Sequence, residues 1–501
     1  MQCDNFPRLT ADEAAAEISH GAIVGFSGFT PAGAAKAVPL ALASRARTLH
    51  ERGEEFQLRV ITGASTGPQI DEALASVDAI AWRAPYQSSK TLRARINAQQ
   101  AEFVDMHLSH VPQMIEFGFF GKIDFAVVEA VEVTNDGRIY LSTSVGVSPS
   151  FLRHADKIIV ELNGHHSKRL WEMHDIAYLP PPPNRSPIPI NSPLSKIGTP
   201  FVAVDPGRIV GIVETNESDG VPPFAEPDDV SSKIAEHVVR FLMDEMHAGR
   251  IPPDFLPLQA GVGNVSNAVM ANLGASDVPP FYMYTEVLQD SQIDLMETGR
   301  LLGASTCALT LSAAQIERVY GNMNFFSRRI VMRPQELSNN PGVVRRLGVI
   351  AINTVLEADI YGNANSTHLG GTLLMNGIGG SGDFVRNAYL SIVVCPSIAK
   401  GGSVSSIVPM VPHVDHNEHS VQIIATEQGL ADLRGLGPIA RAEAIIAHCS
   451  HPAYRDYLRE YLHSAPMGHI RHDLRRCYEL YSNLAEFGTM LPAEVLEAAG
   501  K

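Results

Sequence analysis

Short apolar runs alternate along this chain with segments whose apolar positions recur at helical spacing. In the first half the runs fall at residues 22–26, 59–61, 79–83, 124–131 and 157–163. A glycine-rich turn or a helical stretch follows most of them. Strand, turn, helix and strand in repeated order predict an α/β fold with a mainly parallel sheet. Thr10 opens a helix, because Glu13 stands three residues on and completes a capping box. Gly21 ends that helix. The second half repeats the alternation. Residues 256–264 run into a helical stretch at 265–273. An apolar run, Phe281 to Tyr284, then leads to a helix from about Leu288 to Thr298. Further strands are expected at 304–311, within 349–367 (running into a turn), 389–394 and 406–411, and a charged, mostly helical tail from about Arg441.

Residues 180–200 are too rich in proline for a helix or a central strand, and read as an ordered surface excursion. Strands within 201–215 close the first half. Residues 216–229 make the best linker, and a long helix follows, with Ile234, Val238, Phe241 and Leu242 on one face. The two halves echo one another. Residues 123–130, Gly137 and 141–144 parallel 350–359, Gly362 and 365–367, and residues 61–67 parallel 258–264. The expectation is two related open α/β domains with mainly parallel sheets, residues 1–223 and 224–501. The second carries the helical tail, and the active site lies in the cleft between them.

The chain has 501 residues, 45% of them hydrophobic and 19% charged, enough for an ample core. Its net charge of −15 argues against nucleic acid as a partner, while leaving room for a local basic pocket. Five cysteines (Cys3, Cys307, Cys395, Cys449, Cys477) form no CxxC pair, which points to a reducing compartment and away from a cysteine zinc site. The N-terminal stretch lacks the pattern of a secretory or transit peptide. No run of eighteen apolar residues occurs, so no membrane span is expected and the cytoplasm is the default.

Candidate chemistry gathers at a few positions. Glu286 follows the apolar run 281–284, an unusual place for a carboxylate, since strands are depleted in glutamate and burying its charge is costly. Gly261-Val-Gly-Asn opens a helix after a strand; both a capping turn and an anion-facing turn satisfy this pattern. It is neither G-x-G-x-x-G nor a P-loop. Residues 377–382 hold four glycines in six positions after Asn376, which lets backbone approach a ligand closely. Gly63-Ala-Ser-Thr-Gly67 matches G-x-S-x-G, with Ser65 in the nucleophile position, but too little chain precedes it for a hydrolase sheet and oxyanion loop. Glu427 is a second strand-end carboxylate, and a Glu286–Glu427 pair would suit glycoside hydrolysis, although 7% aromatic content is thin for sugar stacking. His413, His416 and His419 do not follow H-E-x-x-H, so no metal site is expected. Lys400 is either a phosphate-binding point charge or a solvated surface lysine.

Taken together, LPLQAGVGN, YTEVLQD, SNNPGVVRRLG, IYGNANSTH, MNGIGGSGDF, PSIAKGG, VPHVDH and TEQGLADLRGL resemble the acetyl-CoA hydrolase/transferase family of class I CoA-transferases, over nearly the whole chain. GFSGFTPAG, WRAPYQSS, GRIPPDFLPLQ and APMGHIRHDL bear most likeness to its bacterial propionyl-CoA:succinate CoA-transferases. The resemblance implies that Glu286 carries CoA as a glutamyl thioester. It implies that the backbone N–H groups of Val262 and Gly380 hold the thioester oxygen. Asn339 and Glu427 would stand near the reacting acyl group. Leu258, Gln259, Ala260, Gly261, Val262, Asn376, Gly380 and Lys400 would contact CoA. The Ser65 loop would line the cleft without supplying the nucleophile. No cofactor is held permanently; CoA is a substrate. The implied reaction moves CoA between propionyl- or acetyl-CoA and succinate by a ping-pong route, in a homodimer. The alternative is hydrolysis of a short acyl-CoA on the same scaffold.

Overall fold

The computed structural model describes residues 5–222 and 226–491. Cys3 and the extreme N-terminus, part of the expected linker (223–225) and the last ten residues lie outside the described residues.

The protein is α/β, with two mainly parallel mixed sheets. Its first nine strands are β1 Ile23–Phe26, β2 Leu58–Ile61, β3 Ile80–Ala84, β4 Glu102–Phe103, β5 Phe125–Val133, β6 Arg138–Leu141, β7 Lys157–Asn163, β8 Val202–Ala203 and β9 Ile209–Thr215. They build the first sheet. Its main run is β4-β3-β2-β1-β5, continued by β7 beside β5 and β9 beside β7, all parallel. β6 and β8 add an antiparallel flap. β1 is buried at every residue, as expected of a strand covered on both faces. Val24, Phe26, Leu58, Val60, Ile80 and Val127 pack there against the helix Ala37–Glu51. The capping box forms as expected: Thr10 accepts from the Glu13 N–H at 3.2 Å and donates its own N–H to Glu13 at 2.8 Å.

The second half contributes β10 Leu258–Ala260, β11 Phe281–Tyr284, β12 Val287–Leu288, β13 Leu301–Thr306, β14 Ala308–Leu309, β15 Ile330–Met332 and β16 Ile350–Thr354, followed by strands Leu390–Val394 and Ile423–Thr426. The chain forms two compact units, and they do not follow one cut. The first holds Met1–Phe224, Tyr282–Leu347 and Asn376–Asp383; the second holds Ala225–Phe281, Gly348–Met375 and Phe384–Lys501. The expected boundary near 223 therefore marks only the first crossing. Backbone pairing explains why 282–347 joins the first unit: the Leu309 N–H donates to the Thr143 carbonyl at 2.9 Å, the Val145 N–H to Cys307 at 2.9 Å, and the Gln335 N–H to Gly146 at 3.0 Å.

In the first unit β15, β13 and β11 follow in order, as β4, β3 and β2 do. In the second unit β10, β16, Leu390–Val394 and Ile423–Thr426 step outward in parallel, as β1, β5, β7 and β9 do. The duplication read from the sequence thus recurs as strand order. One pairing changes: by sheet position β10 answers to β1, whereas residues 61–67 answer to the turn after β11. The second unit's core gathers Val393, Ile407, Ile424, Ile445, Tyr454 and Leu458. Its long helix, Asp229–His247, is capped by Asp228, which accepts from the Ser231 N–H at 2.7 Å, and buries Ile234, Val238 and Leu242. The strand expected at 406–411 shrinks to Ile407–Val408. Residues 216–222 are no free linker. Asp219 accepts from the Gly33 N–H at 3.1 Å and from the Thr143 hydroxyl at 2.5 Å. Among the described residues no helix is long and apolar enough to cross a membrane.

Candidate active site

Glu286 stands two residues beyond β11, in the turn between β11 and β12, rather than at the strand end itself. Its backbone is tightly held. The Glu286 carbonyl accepts from the N–H groups of Cys307 at 2.8 Å and Ala308 at 3.2 Å, and from the Thr306 hydroxyl at 2.8 Å. On its N-terminal side the Thr285 N–H donates to Ser305 at 2.9 Å, and the buried Tyr284 hydroxyl donates to the Leu337 carbonyl at 2.6 Å. On its C-terminal side β12 pairs in parallel with β14. Beneath it lies an apolar floor of Phe29, Ala32, Ala64, Leu108, Val287, Cys307 and Ala308. A side chain on so constrained a backbone has little freedom to miss its target.

Two groups meet the carboxylate, and a third acts on it through one of them. Asn339, just past the short helix Gln335–Ser338, donates from Nδ2 to Glu286 Oε1. Gly380 presses its backbone against the same oxygen: a methyl there would overlap Glu286 Oε1 and Asn339 Nδ2. The third is Asp383, whose Oδ2 accepts from Asn339 Nδ2 at 3.2 Å. Burial pushes the Glu286 carboxyl up to about 7, against the opposing hydrogen bond from Asn339 and with help from the Asp383 charge. Burial likewise lifts Asp383 to about 6, although Ser109 and Asn339 donate to it. A partly desolvated carboxylate with a raised pKa has the character of an activated nucleophile.

The glycine loop is seated by residues from the first half of the chain. The Ile378 N–H donates to Asp105 at 2.8 Å, and Asn376 Nδ2 donates to the Tyr86 hydroxyl at 3.1 Å. Gly377 and Gly379 lie against the Tyr86 ring, and Gly382 against His107. The Ser109 N–H and hydroxyl donate to Asp383 at 3.0 and 2.6 Å. Sequence reasoning missed Tyr86, Asp105, Ser109 and Asp383 as members of the site. Tyr86 and Asp383 stand inside motifs that were noted, WRAPYQSS and NGIGGSGDF. Asp105 and Ser109 fall in a stretch without pattern.

Ser65 does not behave as a nucleophile elbow. Among the described residues no histidine hydrogen-bonds to it, and its neighbour Ala64 packs into the floor under Glu286. The other expected site residues lie in the second unit. Leu258, Gln259 and Ala260 are buried in β10, and the Gln259 and Asn353 amides pair reciprocally at 3.1 and 2.9 Å. That leaves the Gly261–Gly263 turn to face outward, with Val262 50% exposed. Lys400 is exposed at a left-handed φ of 48°, an uncommon conformation for a residue with a side chain, and forms no ion pair among the described residues. Glu427 is held by the Ser397 N–H at 2.8 Å and by the Ser397 hydroxyl; burial acts to raise its pKa, but these bonds and one from Gln428 hold it below the usual glutamate range.

His413, His416 and His419 do not assemble into a metal-binding group among the described residues. Glu129, His166 and Asp219 do bring three ligand-type atoms within 4.8 Å of one another. The Lys36 ammonium is already paired with both carboxylates, at 3.1 Å from Asp219, and so supplies the positive charge.

The model of the acetyl-CoA hydrolase/transferase N-terminal domain matches residues 2–214, and that of the C-terminal domain matches 316–462. The chain is 54% identical to the propanoyl-CoA:succinate CoA transferase of Escherichia coli over 97% of its own length and 99% of that protein's. It is 46% identical to the succinyl-CoA:acetate CoA-transferase of Clostridium kluyveri, covering 96% of this chain and 90% of the other. Among solved structures, RipA from Yersinia pestis superposes with a TM-score of 0.69 at 23% identity, over 91% of this chain and 96% of that one, a likeness of fold.

Proposed function

Because the chain belongs to the acetyl-CoA hydrolase/transferase family, we propose that it moves CoA between a short-chain acyl-CoA and succinate through a thioester on Glu286. The single observation that carries this reading is the Glu286 carboxylate, with its raised pKa, clasped between the Asn339 amide and the Gly380 backbone.

The chemistry follows from those groups. A Glu286 oxygen attacks the carbonyl carbon of the acyl-CoA. The tetrahedral oxyanion collapses, the C–S bond breaks, and CoA leaves as thiolate, giving a mixed anhydride between the acyl group and Glu286. The thiolate attacks the Glu286 Cδ, and the acyl group departs as a free carboxylate. A second acid attacks the glutamyl thioester, and the steps run in reverse to release its CoA ester and the original carboxylate. Thioester energy is conserved at each step, so no ATP is required. Asn339 Nδ2 is a donor for charge that develops on the Glu286 oxygen, and the absent side chain at Gly380 leaves room for the tetrahedral carbon. The N–H groups of Val262 and Gly380 serve as oxyanion donors, and Leu258 to Val262, Asn376, Gly380 and Lys400 contact CoA. Glu427 faces the acyl group. The enzyme works as a cytoplasmic homodimer and holds no permanent cofactor.

The test is direct. Incubation with acyl-CoA followed by borohydride should reduce the thioester and alter the mass of the peptide containing Glu286. An active enzyme that leaves this peptide unmodified sinks the mechanism. A second reading, hydrolysis of the acyl-CoA, differs in what resolves the intermediate. Acyl-CoA should be consumed quickly only when a carboxylate acceptor is added, and fast loss without one decides for hydrolysis. A panel of acids against succinyl-CoA then sets the acceptor preference; propionyl and acetyl differ by one methylene, a discrimination of about 1–3 kcal/mol.

The raised pKa gives a further expectation. Protonated Glu286 is not a nucleophile, so kcat/KM for the first half-reaction should fall as the pH drops below about 7. Asp383 titrates nearby, so the acid limb belongs to the pair. A pH profile flat from 5.5 to 8 would contradict it.

A further inference from the structure

Two carboxylates share one amide in this site. Asn339 Nδ2 carries two hydrogens; one points to Glu286 Oε1 and the other to Asp383 Oδ2, 3.2 Å away. The amide cannot turn over without loss. Its Oδ1 accepts from the Ser338 hydroxyl at 3.1 Å, and the Ser338 oxygen in turn accepts from the Cys307 thiol at 3.1 Å. Asp383 is fixed as firmly from the other side. Ser109 donates its N–H to Oδ2 at 3.0 Å and its hydroxyl to Oδ1 at 2.6 Å, a contact between residues 274 positions apart in the chain. Asp383 is 3% exposed. A buried carboxylate held by two bonds from one serine, aimed at the amide that grips the nucleophile, does more than pack a loop.

We propose that Asp383 is a positioning residue for the CoA-transfer reaction: it holds the Asn339 amide in donor orientation through the whole cycle and, by its like charge, keeps the Glu286 carboxylate reactive. The first role follows from bonding. When Glu286 passes from carboxylate to neutral thioester, its demand on Asn339 weakens, and Asp383 is the acceptor that does not change. The second follows from electrostatics. A negative charge one amide away destabilises anionic Glu286 relative to its neutral acylated form, which favours attack. The groups that face this pair are named by the fold: Tyr86 and Cys307 beside Glu286, and His110, Ser109 and Asn339 beside Asp383. The inference rests on Glu286 as the nucleophile.

Asp383→Asn tests it. Asparagine is isosteric here and can be fully bonded, its oxygen accepting from Asn339 and the Ser109 N–H while its nitrogen donates to the Ser109 hydroxyl. The acid limb of kcat/KM for the first half-reaction should move down by roughly 0.5–1 pH unit, and the plateau rate should fall by about tenfold. Ser109→Ala, which removes one bond that favours the charged form of Asp383, should move the limb in the same direction by less; it decides the question if the asparagine variant does not fold. An acid limb that stays where it is in the folded variants overturns the proposal. The borohydride label on Glu286, measured in the wild-type protein alongside, separates the two claims. Its absence in the wild type removes the nucleophile itself, whereas a labelled wild type with unmoved limbs removes only the role of Asp383.

Discussion

Glu286→Gln should reduce CoA transfer by a factor on the order of 10⁴ or more while the protein stays folded. Removing an essential nucleophile leaves only the contribution of binding and of the remaining donors. Glutamine keeps an oxygen for Asn339 Nδ2, so the hydrogen bond survives and the loss reads chemistry alone. The variant should also be more stable at alkaline pH. The Glu286 carboxyl is raised from 4.5 to about 7 in the folded protein. Its stabilising contribution is therefore fully present below the unfolded value of 4.5 and is lost as the pH rises through about 7. Above pH 7 the wild type bears a desolvated charge that the variant lacks. Thermal melts should then show Glu286→Gln above the wild type at pH 8, with the difference closing at pH 4. An inactive variant with a lowered melting temperature at both pH values would attribute the loss to misfolding. A variant retaining more than about 1% of wild-type transfer would displace Glu286 from its role.

Gly380→Ala carries the next largest expected effect. A methyl built on Gly380 falls on the Glu286 carboxylate and on Asn339 Nδ2 together. Neither can yield freely: the Glu286 backbone is pinned by three bonds to its carbonyl, and the Asn339 amide is shared with Asp383. The overlap with Glu286 Oε1 is deep enough to force the carboxylate to move by well over an ångström; a misplacement of about 1 Å already typically costs about 10² in rate, and an oxyanion donor put out of line adds to this. We expect kcat to fall by about 10²–10³, with the thioester forming slowly in single-turnover mass spectrometry. Destabilisation should stay near the overpacking range of about 1–3 kcal/mol. Unchanged kcat would mean that the loop moves away, and that Gly380 does not shape the site.

The fold class was legible in the chain because buried parallel strands write themselves as continuous apolar runs. β1, β5 and β7 appear at the expected places. Boundaries were less so: the helix expected to run up to Gly21 ends at Ala16. Glu286 was conspicuous as a carboxylate beside an apolar run, but its meaning depended on Gly380 and Asn339, far along the sequence. Asp383 and Ser109 could not be paired from sequence, since no periodicity links residues 274 positions apart. The unit boundaries were illegible for the same reason. Residues 282–347 lie in the second half of the sequence, yet they pair by backbone with residues 143–146.

The repeated strand order bears on how many thioesters the proposed mechanism allows per chain. Glu286 is the second residue after β11; the second residue after β2, in the corresponding turn of the first sheet, is Gly63. A methyl at Gly63 would already meet the Gly28 carbonyl at 3.0 Å and the Gln335 side chain at 3.1 Å. The turn after β2 is thus closed to a carboxylate. Under the proposed mechanism Glu286 is then the single loading point, and mass spectrometry of the enzyme incubated with acyl-CoA should saturate at one CoA per chain; a second equivalent would count against it.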